Sequence, residues 1–343
     1  MRSKVSPLLV SALLLLPARL CAADVGDPAA IEGVIAQARA MRQITPADLA
    51  NIETTVNAAV ASRPEDERVR YAKVLLDRAK GDRRTAKTSI EALIKQSPDV
   101  AEYRATHGTL CFEGINDAGI FEKMSIASMG RSEYEKAIAL DPALIEPRIG
   151  LARFYLNAPG YAGGSYKKAE EQANALIAIP GGKGEFFGRS LLADIYADQS
   201  EWTKVEEQFQ LAESSTNAAA NPVAAMRGYA QILLNKKKDP AAALVVLERA
   251  QNAAADDATI WFLTGESKKT LGDDQGAIIA YSKAIELKPD AVSSRFALAE
   301  LLEKQKQYAQ AAIEYREFVS RFPADPRAAT AATGAARCEK KAK

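Results

Sequence analysis

The residue types that could serve as nucleophile, base or metal ligand are few. His107 is the single histidine of the 343-residue chain, so a Ser-His-Asp triad or a three-histidine metal site has at most one possible centre. Tyr103, His107 and Cys111 stand at i, i+4 and i+8 on one helical face, which admits a cysteine–histidine pair. Counted from Pro98, however, His107, Gly108 and Cys111 fall where helix packs on helix, and a buried structural role is expected. Gly160 to Ser165 and Gly181-Gly182-Lys183-Gly184 each precede a helical pattern, where free backbone amides could hold a phosphate. Neither has the spacing of a P-loop or a dinucleotide fingerprint and neither follows a strand pattern, so turn chemistry is expected. Lys236-Lys237-Lys238 lies between two helical patterns and reads as a solvated turn. Carboxylates are plentiful, but no pair with opposed environments stands out on a helical surface, so hydrolase chemistry has no candidates. The expectation is no catalytic residue, no cofactor and no bound metal.

The first residues address the compartment. Arg2 and Lys4 precede an uncharged apolar run from Leu8 to Leu16, and Cys21-Ala22-Ala23 offers small residues at a cleavage site. A cleaved signal peptide over 1–23 is expected, and with it a periplasmic or secreted protein. The run is too short for a hydrocarbon core that needs roughly 20 apolar residues, and Leu20 before Cys21 argues against a lipid anchor there. No later stretch is long and apolar enough for a stable membrane span. The full chain carries 45 basic and 44 acidic residues. Loss of Arg2, Lys4 and Arg19 leaves 42 against 44, a net charge of −2, which gives no electrostatic footprint for nucleic acid or anionic lipid. Cys111 and Cys338 remain, too few for a disulfide framework. They are expected to stay unpaired, with Cys338 near a frayed terminus the more reactive thiol.

The elements that must position any site are helical. Trp261, Gly265, Ala277, Tyr281, Ala284 and Pro289 are followed by Ala299, Ala311, Tyr315, Phe318 and Pro323, and the offsets Ala277 to Ala311, Tyr281 to Tyr315 and Pro289 to Pro323 are all 34. Small residues at Gly265 and Ala277 let two helices approach, Tyr281 fills the space left, and Pro289 stops the second helix. Ala243, Leu247 and Ala250 keep this frame one step earlier. Val205, Phe209 and Ala212 mark another second helix, as do Tyr134 and Ala137 before Pro142, and Ala86, Ile90 and Leu93 before Pro98. Trp202 and Trp261 match packing positions. The pattern resembles the tetratricopeptide-repeat family, with Thr264 for the usual Leu and Lys268 for the usual Tyr. The resemblance implies an all-α, right-handed superhelical solenoid of helix–turn–helix units.

About seven repeats are expected over 65–323, behind an N-terminal helical pair at 24–64 and ahead of a capping helix at 324–343 whose basic tail opposes the macrodipole. No segment alternates with period two, so no sheet is expected. Two neighbouring units exceed the common period: Pro98 to Pro142 by ten, centred near Gly114 to Gly119, and Pro142 to Pro180 by four, at Ala158 to Gly164. The excesses are expected as two loops, 114–121 and 158–165, standing side by side on one edge. The second loop, with Pro159, Tyr161, Gly163 and Gly164, looks like one carried by exported bacterial repeat proteins.

The resemblance further implies a concave face lined by the first helix of each unit. There this sequence places Phe262, Glu266 and Lys269, then Phe296, Glu300 and Glu303, with Ile232, Asp194, Asp198, Arg153 and Glu146 on earlier turns. Family members that clamp a C-terminal carboxylate carry lysines and asparagines at an early position that here holds Ala105, Ile149, Ser190, Gly228, Phe262 and Phe296, so that clamp is not expected. The function expected is a non-catalytic exported scaffold holding a protein or peptide partner in this groove. The alternative is a binding protein for a small ligand or cell-envelope polymer, using the adjoining loops at 114–121 and 158–165.

Overall fold

The computed structural model describes residues 28–39, 46–115, 119–217 and 220–343. The expected signal peptide and its cleavage site at Ala23 lie outside the described residues, as do Asn116 to Ala118 of the 114–121 loop. Among the described residues there are seventeen α-helices and no strand, and no helix is long and apolar enough to cross a membrane.

Helices α1 (Pro28–Arg39) and α2 (Pro46–Ser62) precede α3 (Glu67–Ala79), α4 (Arg83–Gln96), α5 (Ala101–Gly114) and α6 (Ile120–Leu140). These six belong to one compact unit that ends at Pro142. The second unit holds α7 (Ile145–Asn157), α8 (Tyr166–Ile177), α9 (Glu185–Asp198), α10 (Trp202–Glu213), α11 (Pro222–Ile232), α12 (Pro240–Ala253), α13 (Ala258–Thr270), α14 (Asp274–Leu287), α15 (Val292–Lys304), α16 (Tyr308–Arg321) and α17 (Ala328–Ala342).

Local chemistry sets the helix starts. Aspartates at second-helix N-caps accept backbone N–H groups that would otherwise be orphaned: Asp82 from Thr85 at 3.1 Å, Asp239 from Ala242 at 3.0 Å and Asp273 from Gly276 at 2.8 Å. The turn from first to second helix requires a left-handed residue. Gly81 and Gly272 supply it at φ +82° and +86°, whereas Ser200, Lys238 and Lys306 adopt φ +60° with a side chain present.

Small residues do the work expected of them inside each pair. A Cβ on Gly265 would come within 2.4 Å of the Tyr281 ring, and one on Gly108 within 2.6 Å of Tyr134. In the first unit Tyr71 and Tyr103 meet at 4.7 Å between ring centroids, among Ile31, Val56, Leu75 and Ile90. In the second unit α17 lies on α16, with Gly334 against Tyr315. This packing corrects the expectation for Cys338: α17 is docked rather than frayed there, the thiol is fully buried, and burial raises its pKa. Cys111 is buried as well, and both sulfurs are free thiols. Trp202 and Trp261 are only half-buried, so core filling overstates their role; the Trp261 Nε1 donates to the Ala255 carbonyl at 2.8 Å.

The long units also differ from expectation. Helix α6 has 21 residues where α14 has 14, so seven of the ten extra residues lengthen the second helix rather than a loop. The excess at 158–165 is a true turn, with Gly163 at φ +98°. A third unit departs from the period too. From Val205, Phe209 and Ala212 to Ala243, Leu247 and Ala250 the offset is 38 in place of 34, and α11 runs on into one π-helical turn, Leu233–Lys237, before the left-handed Lys238. A π turn absorbs residues that an α-helix of fixed length cannot hold.

Candidate partner-binding face

In the second unit a hollow lies where α9, α10 and α11 meet, with a volume of about 210 Å³. From α9 it takes Arg189, Ser190, Ala193 and Asp194; from α11, Ala225, Gly228, Tyr229 and Ile232. Four of these, Ser190, Asp194, Gly228 and Ile232, are groove positions named from the repeat frame. Gly228 opens the hollow without being required for packing, since a Cβ there would meet nothing within 4 Å. The floor is aromatic: Phe209 of α10 stacks on Tyr229 at 4.3 Å and 16°.

The rim is charged and internally braced. Arg189 pairs with Glu185 at 2.7 Å and reaches Gln208 at 3.4 Å. Lys236, on the π turn, crosses back to α9, donating to the Asp194 carbonyl and carboxylate at 3.1 Å and pairing with Asp198 at 2.8 Å. Partial burial works against its ammonium, but hydrogen bonds to Asp198 and Asp194 outweigh it and hold the pKa above the ordinary lysine value. Lys236 is therefore a brace between first helices, not the solvated turn residue its sequence suggests. Phe209, Tyr229, Arg189 and Lys236 were not among the groove candidates. The longer offset from Phe209 to Leu247 marks the unit as irregular, but only half of that surplus falls in α11 and its π turn and the other half falls between the starts of α10 and α11.

The remaining candidates are distributed along the same unit. Phe262 is half-buried, 6.0 Å from the Tyr281 ring. Phe296 packs on Phe318 at 5.2 Å and lies beneath the Arg327 guanidinium, also at 5.2 Å. Glu266 accepts from the Tyr281 hydroxyl and pairs with Lys269 at 2.8 Å. Glu303 is held by Arg337 at 2.6 and 2.7 Å and by the Tyr315 hydroxyl at 3.2 Å. Glu300 has no hydrogen bond or ion pair among the described residues, and its partial burial raises its pKa despite Lys269 and Arg327 nearby. Asp194 and Asp198 share Lys236, as above. In the loop candidates, Gly164 is required by space, because a Cβ would stand 1.7 Å from the Ala158 carbonyl oxygen. Tyr161 is exposed. The 114–121 connection belongs to the first unit and the 158–165 turn to the second.

His107 is buried between α4 and α6. Its Nε2 lies 3.4 Å from Glu91 and its Nδ1 3.7 Å from Glu133, and neither nitrogen makes a hydrogen bond among the described residues. Glu133 is held by Arg104 at 3.0 Å and Lys136 at 2.8 Å. Burial lowers the His107 pKa and raises that of Cys111, so neither is activated as base or nucleophile.

Two family models, both described as tetratricopeptide repeat, match residues 258–291 and 293–325. A tetratricopeptide repeat protein from Parabacteroides merdae is similar at TM-score 0.51 and 14% identity, covering 80% of this chain and 99% of its own. A chain of the APC/C hetero-tetramer Cut9–Hcn1 is similar at TM-score 0.46 and 15% identity, covering 90% of this chain; this chain spans 54% of that one. No curated protein matches the sequence. The fold is all-α, of the tetratricopeptide-repeat solenoid class.

Proposed function

We propose that this stack of tetratricopeptide repeats is a non-catalytic scaffold, exported through the leading segment 1–23, that holds a protein or peptide segment against the first helices of its second unit. Chains of this repeat class generally serve protein–protein interaction rather than catalysis. The observation that carries the reading is the hollow at Ser190, Gly228 and Ile232, with Phe209 and Tyr229 at its floor. At about 210 Å³ it is smaller than the pockets of roughly 300 Å³ and upward that enclose small ligands. Its size suits one or two anchoring side chains of an extended segment or helix. An apolar anchor on the Phe209–Tyr229 floor, with a basic neighbour near Asp194 and Asp198, is the chemistry it fits.

The test fills the hollow. Gly228→Leu should fold as the wild type does, because the space beside Gly228 is open, and should lose a partner captured by the wild-type protein from envelope extract by at least about tenfold in affinity. A well-folded Gly228→Leu protein that retains the same partner at the same affinity would remove the hollow from the account.

A further inference from the structure

Helix α6 ends where α14 does in the repeat frame, with Leu140 standing before Pro142 as Leu287 stands before Pro289. Its seven surplus residues are therefore 120–126, an N-terminal extension that a regular second helix lacks. The last of them, Ile126, walls a hollow of the first unit. Leu110, Cys111 and Gly114 of α5 line it, and Arg83, Arg84 and Lys87 of α4 stand across from them. Its volume is about 410 Å³, nearly twice that of the hollow at Gly228. That lies inside the range of roughly 300–1,000 Å³ in which small ligands are held.

The two sides differ in chemistry. Leu110 and Cys111 are buried and Ile126 is half-buried, so α5 and α6 give an apolar floor. The side made by α4 is cationic. The carboxylate beside it, Asp82, is spent as the N-cap of α4, accepting the Thr85 N–H at 3.1 Å. Arg83 donates to the Glu113 carbonyl, a neutral oxygen, at 3.0 Å. The Arg84 guanidinium and the Lys87 ammonium make no hydrogen bond or ion pair among the described residues, whereas Arg68, Lys73, Arg78 and Lys80 of the same unit each hold a carboxylate. Lys87 lies close enough to Cys111 to act against the burial that raises its thiol pKa, so its field reaches the α5 wall.

We propose that this hollow binds a small organic anion, its carboxylate, phosphate or sulfonate head between Arg84 and Lys87 and its apolar body on Leu110 and Ile126. Both cations then gain the charge-assisted hydrogen bonds that they lack within the chain. The apolar floor favours an organic anion over an inorganic one, which buries nothing on it.

Isothermal titration calorimetry of the purified full chain with octanoate, octylammonium and inorganic phosphate tests this. Octanoate should bind at least about tenfold more tightly than either of the others. The double variant Arg84→Gln/Lys87→Gln should keep the helical circular dichroism and melting temperature of the wild type yet raise the octanoate dissociation constant by at least about tenfold. Gly114→Leu should do the same by filling the hollow, since a Cβ there would meet nothing within 4 Å. Lys95→Gln, in the last turn of α4 and outside the hollow, should leave octanoate binding unchanged. No binding of octanoate would overturn the proposal. Octylammonium binding as tightly as octanoate would show apolar contact alone, and phosphate binding as tightly would show charge alone; either overturns it. So would a folded double variant or a folded Gly114→Leu protein that binds octanoate as the wild type does, or an equal loss in Lys95→Gln.

Discussion

Gly265 and Gly228 both sit on first helices, yet a methyl group should act oppositely at the two. At Gly265 the added carbon meets the Tyr281 ring at 2.4 Å, whereas at Gly228 it meets nothing. Gly265→Ala should therefore destabilise the protein by about 1–3 kcal/mol through overpacking. Gly228→Ala should stabilise it by about 0.5–1 kcal/mol through helix propensity; urea unfolding of both variants is the check. The Gly265 contact was legible in the sequence because glycine and tyrosine recur at fixed repeat positions. The burial of Cys338 was not, since α17 follows the last repeat and no periodic partner announces that it docks. His107 gives a pH prediction. Its pKa is lowered by burial, while Glu133 and Glu91 act to raise it and Lys87 to lower it. With the folded pKa below the unfolded value of about 6.5, the unfolded chain binds the proton more readily, so stability is complete above that pH and declines as pH falls through the folded pKa. His107→Gln should flatten the stability profile between neutral pH and the carboxylate range. An unchanged slope would show that His107 does not control it.

At the scale of the element, the turns between paired helices carry the clearest cost. Gly272 at φ +86° has space for a side chain but not the backbone for one, and Lys306 adopts the equivalent conformation one repeat later. Gly272→Ala should cost about 1 kcal/mol, and Lys306→Gly should recover up to a similar amount; thermal melts compare them directly. The pairing of helices was readable from the regular spacing of Tyr281, Tyr315, Pro289 and Pro323, because packing of small against aromatic residues fixes those positions. Where the extra residues go was not readable. A proline-to-proline distance counts residues without saying whether they extend a helix, as in α6, or widen a turn, as at 158–165. The π turn after α11 was hidden for a related reason: the longer offset from Phe209 to Leu247 was present, but the offset does not say how the surplus divides between the segment before α11 and the π turn.

For the whole molecule, stability should be approximately the sum of contributions from successive helix pairs and their interfaces, so the groove can change without loss of fold. That separation is what makes a binding surface testable by substitution. Proposed export has its own check: the mature protein purified from its native host should lack the segment 1–23 by mass, and an intact Met1 or a diacylglyceryl increment on Cys21 would contradict it. The central claim is that a partner segment lies in the hollow of α9, α10 and α11. A photo-reactive amino acid placed at Gln231, on the rim of that hollow, and separately at Gln275 on the outer face of α14, measures this directly after irradiation in envelope extract and peptide mapping. The expected result is one recurring partner peptide joined at Gln231 and absent at Gln275. A partner joined at Gln275 and not at Gln231, or joined equally at both, would contradict the assignment of the groove.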